Sequence, residues 1–137
     1  MKTIHPIVSH MLENDAYSKW LGVEVTESAP GRAEISCVVR PEMTNGFGVA
    51  HGGIAYALAD SSLAFAANAH GEKAMSIECQ MSYLKAIYTN SAIRAVAVEK
   101  HRSKRLGRYE VHIFVGDVPV GLFHGTVMFL GEMWAID

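Results

Sequence analysis

The chain has 137 residues, 50% hydrophobic and 19% charged, with a formal net charge of −2. That is enough for one domain with a real core, read as residues 1–137, and the balance excludes both wholesale disorder and a surface coated for nucleic acid. Cys37 and Cys79 lack the paired spacing of a zinc site, and the start MKTIHPIVSHMLEND is too polar for a secretory signal, so a reducing cytoplasm is the expected compartment.

In chain order, Ile7 to Leu21 carries a weak helical stripe (Ile7, Val8, Met11, Leu12, Tyr17) that Gly22 ends. Val23 to Thr26 and Ala33 to Val39 read as strands joined by the turn Ser28-Ala29-Pro30-Gly31. Residues 41–51, PEMTNGFGVAH, have no period and form a loop. A long helix is expected from near Gly52, ending by Gly71. Met75, Ile77, Cys79, Met81 and Tyr83 then alternate with Ser76, Glu78, Gln80 and Ser82, which predicts a strand with unlike faces. Ala92 to Glu99, Arg108 to Val115 and Val120 to Leu130 are further strands, separated by a basic stretch and by Gly116-Asp117-Val118-Pro119.

Antiparallel strands with one dominant helix predict an α+β fold in which the helix packs on one face of a single sheet. Between Gly52 and Ala69 the helix is apolar nearly all round, with alanines at 55, 57, 59, 64, 66, 67 and 69 and with Leu58, Leu63 and Phe65, so it must be surrounded. It is too short for a bilayer span and Asp60 interrupts it, which argues for a buried helix and against a membrane segment. Six strands leave one side of it open, and a second subunit is the expected cover: a homodimer at least.

Asp60 is costly in such a helix unless it is paired, protonated or wet. A bond to the backbone, Ser61 or Ser62 is the plain structural account. The functional one starts from Gly52 and Gly53, whose N–H groups at the helix start lack intrahelical acceptors and sit at the positive end of the dipole. Such donors stabilise charge on a carbonyl oxygen, and a carboxylate nearby can act as nucleophile or general base in acyl transfer. Gly52 and Asp60 are eight residues apart, about 12 Å along a helix. If both serve one carbonyl, they come from different subunits, with two equivalent sites per dimer.

The stretch NGFGVAHGGIAYALAD, the small-residue helix it opens and the strand AMSIECQMSYLKA resemble the hotdog-fold thioesterases, specifically the PaaI-like, phenylacetate-degradation branch. The resemblance spans nearly the whole chain. It implies a hotdog fold: a long central helix wrapped by a curved antiparallel sheet of about six strands, plus a short N-terminal helix. It further implies dimers, commonly paired into homotetramers, and hydrolysis of aryl-acyl, phenylacetyl-type or medium-chain CoA thioesters. No metal or cofactor is called for, coenzyme A being part of the substrate.

By the same resemblance Asp60 matches the catalytic carboxylate and Gly52 the residue whose N–H polarises the thioester carbonyl, with Gly53 beside it. Asn45 matches the residue that positions water or thioester, and His51 the histidine beside the carbonyl. Taken alone, Asn45-Gly46 is a turn signal and His51 a helix-start histidine bonded to backbone. Ser76 lies where some relatives hold the nucleophilic water, although strict alternation puts it on the face of Glu78 and Gln80.

EKHRSKRLGRYE, residues 99–110, is a solvated basic hairpin on its plain reading, but Arg and Lys suit the phosphates of coenzyme A, with Arg102, Lys104 and Arg105 as candidates. The patch is too short for a nucleic-acid partner. Lys85 and Tyr83 are candidates to line the acyl or pantetheine channel, core packing being the alternative for Tyr83. The methionines, Cys37 and Cys79 read as core, and Trp20 and Trp134 as anchors of the termini. Three functions compete: an acyl-CoA thioesterase, a hotdog hydratase or dehydratase using His51 and Asp60, and a non-catalytic acyl-CoA binding module.

Overall fold

The computed structural model describes residues 3–136. Two short helices, α1 (Pro6–Glu13) and α2 (Ala16–Leu21), lead into the hairpin of β1 (Glu24–Ala29) and β2 (Arg32–Val38). A 3₁₀ turn (Pro41–Met43) and a loop reach the long helix α3 (Gly52–Asn68), and β3 (Glu72–Tyr83), β4 (Ala92–Arg102), β5 (Leu106–Val115) and β6 (Val118–Met133) follow. The N-terminal helix expected over 7–21 is thus two helices. Asn14 closes the first, its N–H bonding the carbonyls of Met11 and Leu12, and Asp15 opens the second by accepting the Ser18 N–H at 2.9 Å.

All six strands form one antiparallel sheet in the order β1-β2-β4-β5-β6-β3, with α3 laid across one face. Leu58, Ala59, Leu63, Ala66 and Ala67 of α3 are fully buried against Ile35, Ile93, Ala95, Val111, Ile113 and Phe123 of the sheet. This is the expected helix-in-sheet architecture. Small residues set the distance between the layers: a Cβ on Gly125 of β6 would meet Leu63 Cδ1 well inside contact distance. Two backbone bonds tie the first hairpin to its neighbours, from Gly31 N–H to the Ala66 carbonyl of α3 (2.9 Å) and from Glu99 N–H to Gly31 O (2.8 Å).

The cover stops short of closure. Gly53, Ala57, Asp60, Ser61 and Ala64, spaced along one side of α3, stay partly or fully exposed. Beside them β3, paired only with β6, leaves its outer edge open.

The expected alternation of β3 fails at one residue. Ser76 pairs with Val127 but Glu78 pairs with Thr126, so Ile77 is an extra, bulged residue. Below it Ala74 and Ser76 face α3; above it Cys79, Met81 and Tyr83 do. Ser76 therefore lies on the helix side, opposite to the face shared by Glu78 and Gln80. Met75 and Ile77, expected inside, are 64% and 54% exposed. Met128 and Met133 are exposed as well, so of the described methionines only Met43 is fully buried, with Met11 and Met81 packed at the core's margin. Trp134 does anchor the C-terminal segment, its indole N–H donating to Asn68 Oδ1 at 2.9 Å. Trp20 does not serve as such an anchor, being 47% exposed. Among the described residues no helix is long and apolar enough to cross a membrane.

Replacing Gly125 by alanine forces a methyl into the Leu63 contact. Overpacking of this kind costs about 1–3 kcal/mol, so urea unfolding of Gly125→Ala is expected to show a lower midpoint with an unchanged slope.

Candidate active site

The α3 N-terminus presents its donors unequally. His51 is the N-cap: its Nδ1 accepts the Gly53 N–H at 2.9 Å and its carbonyl accepts the Ile54 N–H at 2.9 Å. The Gly52 N–H alone of these three has no acceptor among the described residues. Gly53, expected to offer a second donor, has its N–H engaged by His51. The same bond fixes the imidazole: with Nδ1 accepting, the neutral ring carries its proton on Nε2, which is left free to donate.

Tyr83, at the end of β3, closes over this turn. Its hydroxyl donates to the Gly52 carbonyl at 2.8 Å, and a Cβ on Gly52 would lie 3.1 Å from that oxygen and 3.2 Å from the ring carbon bearing it. Asn45 holds the preceding loop, its Oδ1 accepting the N–H groups of Phe47 (2.9 Å) and Val49 (3.4 Å). Its oxygen is thus engaged locally and only its amide NH₂ is free to face a ligand. Asn45, His51, Gly52, Tyr83 and Lys85 line one cleft of about 530 Å³, completed by Ala50 and Ile87, whose backbone bond of 2.7 Å closes the wall. That wall is built of main chain, so no side-chain pattern announced it.

Asp60 lies outside this cleft, about 12 Å along α3 at helical rise. Neither neighbouring serine turns to it: Ser61 Oγ is 3.1 Å from Ser18 Oγ, and Ser62 donates to the Ala59 carbonyl at 2.7 Å. Its partner is Ser76, whose hydroxyl donates to Oδ1 at 3.2 Å across the face that the bulge opens. Burial pushes the Asp60 carboxyl above the usual aspartate value, and the Ser76 bond pulls it partly back. Cys79, facing α3 in the same strand, is held as a protonated thiol, raised by burial and by the Asp60 charge. Buried Cys37 is pushed up to about 11 by burial. Neither is an activated nucleophile.

The basic hairpin stands apart from the cleft. Arg102, Lys104 and Arg105 are exposed at the β4–β5 tip, with the Arg102 guanidinium 4.4 Å over the Phe129 ring. Glu99, at the hairpin's base, accepts from Tyr109 (2.8 Å) and contacts His70 just past the α3 C-terminus (2.9 Å). In one chain these side chains and Gly52 therefore sit at opposite ends of a 17-residue helix, about 25 Å long. Among the described residues no three His, Cys, Asp or Glu side chains converge as a metal site.

The profile of the thioesterase superfamily matches residues 47–122. The acyl-coenzyme A thioesterase PaaI of Escherichia coli is 33% identical over 103 residues, which cover 75% of this chain and 74% of that protein. The solved structure of the E. coli PaaI protein, from the phenylacetic acid degradation operon, superposes with a TM-score of 0.89 at 31% identity, over 91% of each chain. A mutant of the phenylacetic acid degradation protein PaaI from Thermus thermophilus superposes with a TM-score of 0.82 at 38% identity, over 85% of this chain and 100% of that one.

A carboxyl held above its unfolded value binds more protons in the native state, so its contribution to stability falls as pH rises through the interval between the two values and stays low above it. Asp60→Asn is accordingly expected to be more stable than the wild type in denaturant at pH 7. The gain should shrink to nothing as pH drops below the ordinary aspartate value of about 3.9.

Proposed function

The chain belongs to the thioesterase superfamily, and from that premise we propose that it hydrolyses acyl-CoA thioesters at two equivalent sites, each pairing Gly52 of one protomer with the partner's Asp60. The observation that carries the reading is the single free N–H at Gly52, on a helix whose half-buried carboxylate lies too far along the same chain to meet it. The exposed stripe of α3 and the open edge of β3 lie side by side, and a second copy laid antiparallel on both covers them. The same operation carries the partner's Arg102, Lys104 and Arg105 toward the cleft that holds Lys85, supplying cations for the phosphates of coenzyme A.

In this arrangement the thioester carbonyl accepts from the Gly52 N–H and from His51 Nε2–H. Asp60, with Ser76 beside it, either takes a proton from an attacking water or attacks the carbonyl carbon itself. In both courses negative charge builds on the carbonyl oxygen at the helix N-terminus and the C–S bond breaks with loss of the CoA thiolate; in the first the proton taken by Asp60 passes to that thiolate, and in the second water opens the acyl-aspartyl anhydride, restoring the carboxylate and supplying the thiol's proton. Asn45 contributes through its NH₂. The proposed acyl groups are aryl or phenylacetyl-type, with medium chains next, in line with the relatives of the phenylacetic acid degradation type. The proposal extends to a dimer of dimers acting in the cytoplasm without a metal or bound cofactor.

Thiol release from phenylacetyl-, hydroxybenzoyl-, hexanoyl- and palmitoyl-CoA tests the activity. Asp60→Asn is expected to lower turnover by about 10²–10⁴-fold; a well-folded variant with wild-type rates would remove the carboxylate from the mechanism. Gly52→Pro deletes the N–H, and proline is accepted at the first helical position. It should lose about 10²–10³-fold, against a smaller loss in Gly52→Ala, which meets Tyr83 in the same way but keeps the donor. Random mixing of Gly52→Pro with Asp60→Asn protomers should recover about a quarter of wild-type activity, since half the dimers then hold one intact site; no recovery would place both groups in one chain.

Only ionised Asp60 can act, so activity rises with pH through its raised value. Ser76→Ala removes the bond that lowers that value and is expected to move the acid limb of the kcat profile to higher pH.

A further inference from the structure

A second cleft, of about 420 Å³, lies on the other side of His51 and Gly53 and shares both residues with the first. Its outer wall is Tyr17 and Trp20 of α2, half exposed (54% and 47%) and near-parallel at 5.9 Å between ring centroids and 18° between planes. Met43 and Ile54 floor it. We infer that this aromatic wall is the subsite for the acyl group of the thioester, and that it selects flat aryl rings over short alkyl groups. The inference rests on the thioesterase reading above.

Three observations carry it. First, the wall is rigid. Tyr17 and Trp20 share one side of α2 as an i, i+3 pair, and Asp15 caps that helix through Ser18 N–H (2.9 Å) and Ser18 Oγ (2.7 Å). Ser18 Oγ is 3.1 Å from Ser61 Oγ of α3, and the Arg40 guanidinium holds the carbonyls of Trp20 (2.7 Å) and Leu21 (3.2 Å). Two large rings are thus held half in water on a fixed backbone, a preorganised platform for another flat ring.

Second, charge separates the two arms of the substrate. The first cleft carries Lys85, whereas among the described residues no Lys or Arg lines the second, which carries Glu42 paired with Arg40 at 3.4 Å, the Arg40 guanidinium itself lying 5.0 Å from the Trp20 ring centroid. A polyanionic CoA arm thus meets an amine in the first cleft, and at the second only a Glu42–Arg40 pair whose charges offset each other. Third, the clefts meet at the turn that presents the Gly52 N–H, where the carbonyl joining acyl group and sulfur belongs. A thioester carbonyl held there sends its pantetheine one way and its acyl group the other.

Binding of two non-hydrolysable thioethers, S-phenacyl-CoA and S-acetonyl-CoA, read by calorimetry, tests this without requiring turnover. The wild type should prefer the phenacyl ligand, and Trp20→Ala should cut that preference by about threefold to tenfold. Tyr17→Ala should act in the same direction and Trp20→Phe should restore most of the preference. An unchanged phenacyl-to-acetonyl ratio in both alanine variants, or an equal loss of both ligands, overturns the subsite. Thiol release by the wild type is measured alongside: if no ester is cleaved while the ratio still collapses in Trp20→Ala, the hydrolase reading fails and the subsite stands.

Discussion

A helix that is apolar around nearly its whole circumference cannot lie on a surface, and the rest of the structure follows from covering α3. The covering sheet packs close because alanines line the helix and Gly125 lies opposite Leu63, leaving no room for even a methyl group between them. What the sheet leaves open is a strip bearing small residues, one carboxylate and the neighbouring edge of β3. Under the proposed function, chemistry and assembly share a boundary: the strip where the core stays unfinished is also where Asp60 stands.

The helix start shows how far hydrogen-bond accounting sharpens a motif. Three N–H groups look alike in the residue order His-Gly-Gly-Ile. His51 folds back to take one of them with its ring and another with its carbonyl, which isolates the donor of Gly52 and fixes the tautomer of the imidazole. Asn45 is likewise committed through its oxygen to the turn it initiates. The plain readings of both residues, helix cap and turn former, are physically correct, and they leave one nitrogen on each for other work.

The fold class, the extent of α3 and the succession of helices and strands along the chain were legible because hydrophobic period and turn residues report them directly; the order of the strands within the sheet was not. The face of Ser76 was not, because parity is counted along an assumed regular strand and one extra residue at Ile77 reverses the count. The break between α1 and α2 lay in the pair Asn14-Asp15, a stop followed by a cap, beneath a weak apolar stripe that ran through both. Trp20 reads as an anchor from its distance to the chain end, whereas a short helix turns its ring outward beside the turn that opens α3. Where two segments meet in space, as Ala50 and Ile87 do through their main chains, the sequence carries no mark at all.

Gly52 illustrates a different kind of dependence. A backbone N–H is common to every residue except proline, so the donor does not require glycine. The Tyr83 ring favours it, because the first carbon of a side chain would lie 3.1 Å from its hydroxyl oxygen and 3.2 Å from the ring carbon bearing it, so that the ring would have to give way by a few tenths of an ångström. The contact predicts that the two positions, far apart in sequence, are coupled in descent: a smaller residue in place of the tyrosine eases alanine at the helix start, and the ring favours glycine there. Paired variation between these sites, more than invariance at either, is the trace such a contact leaves among relatives.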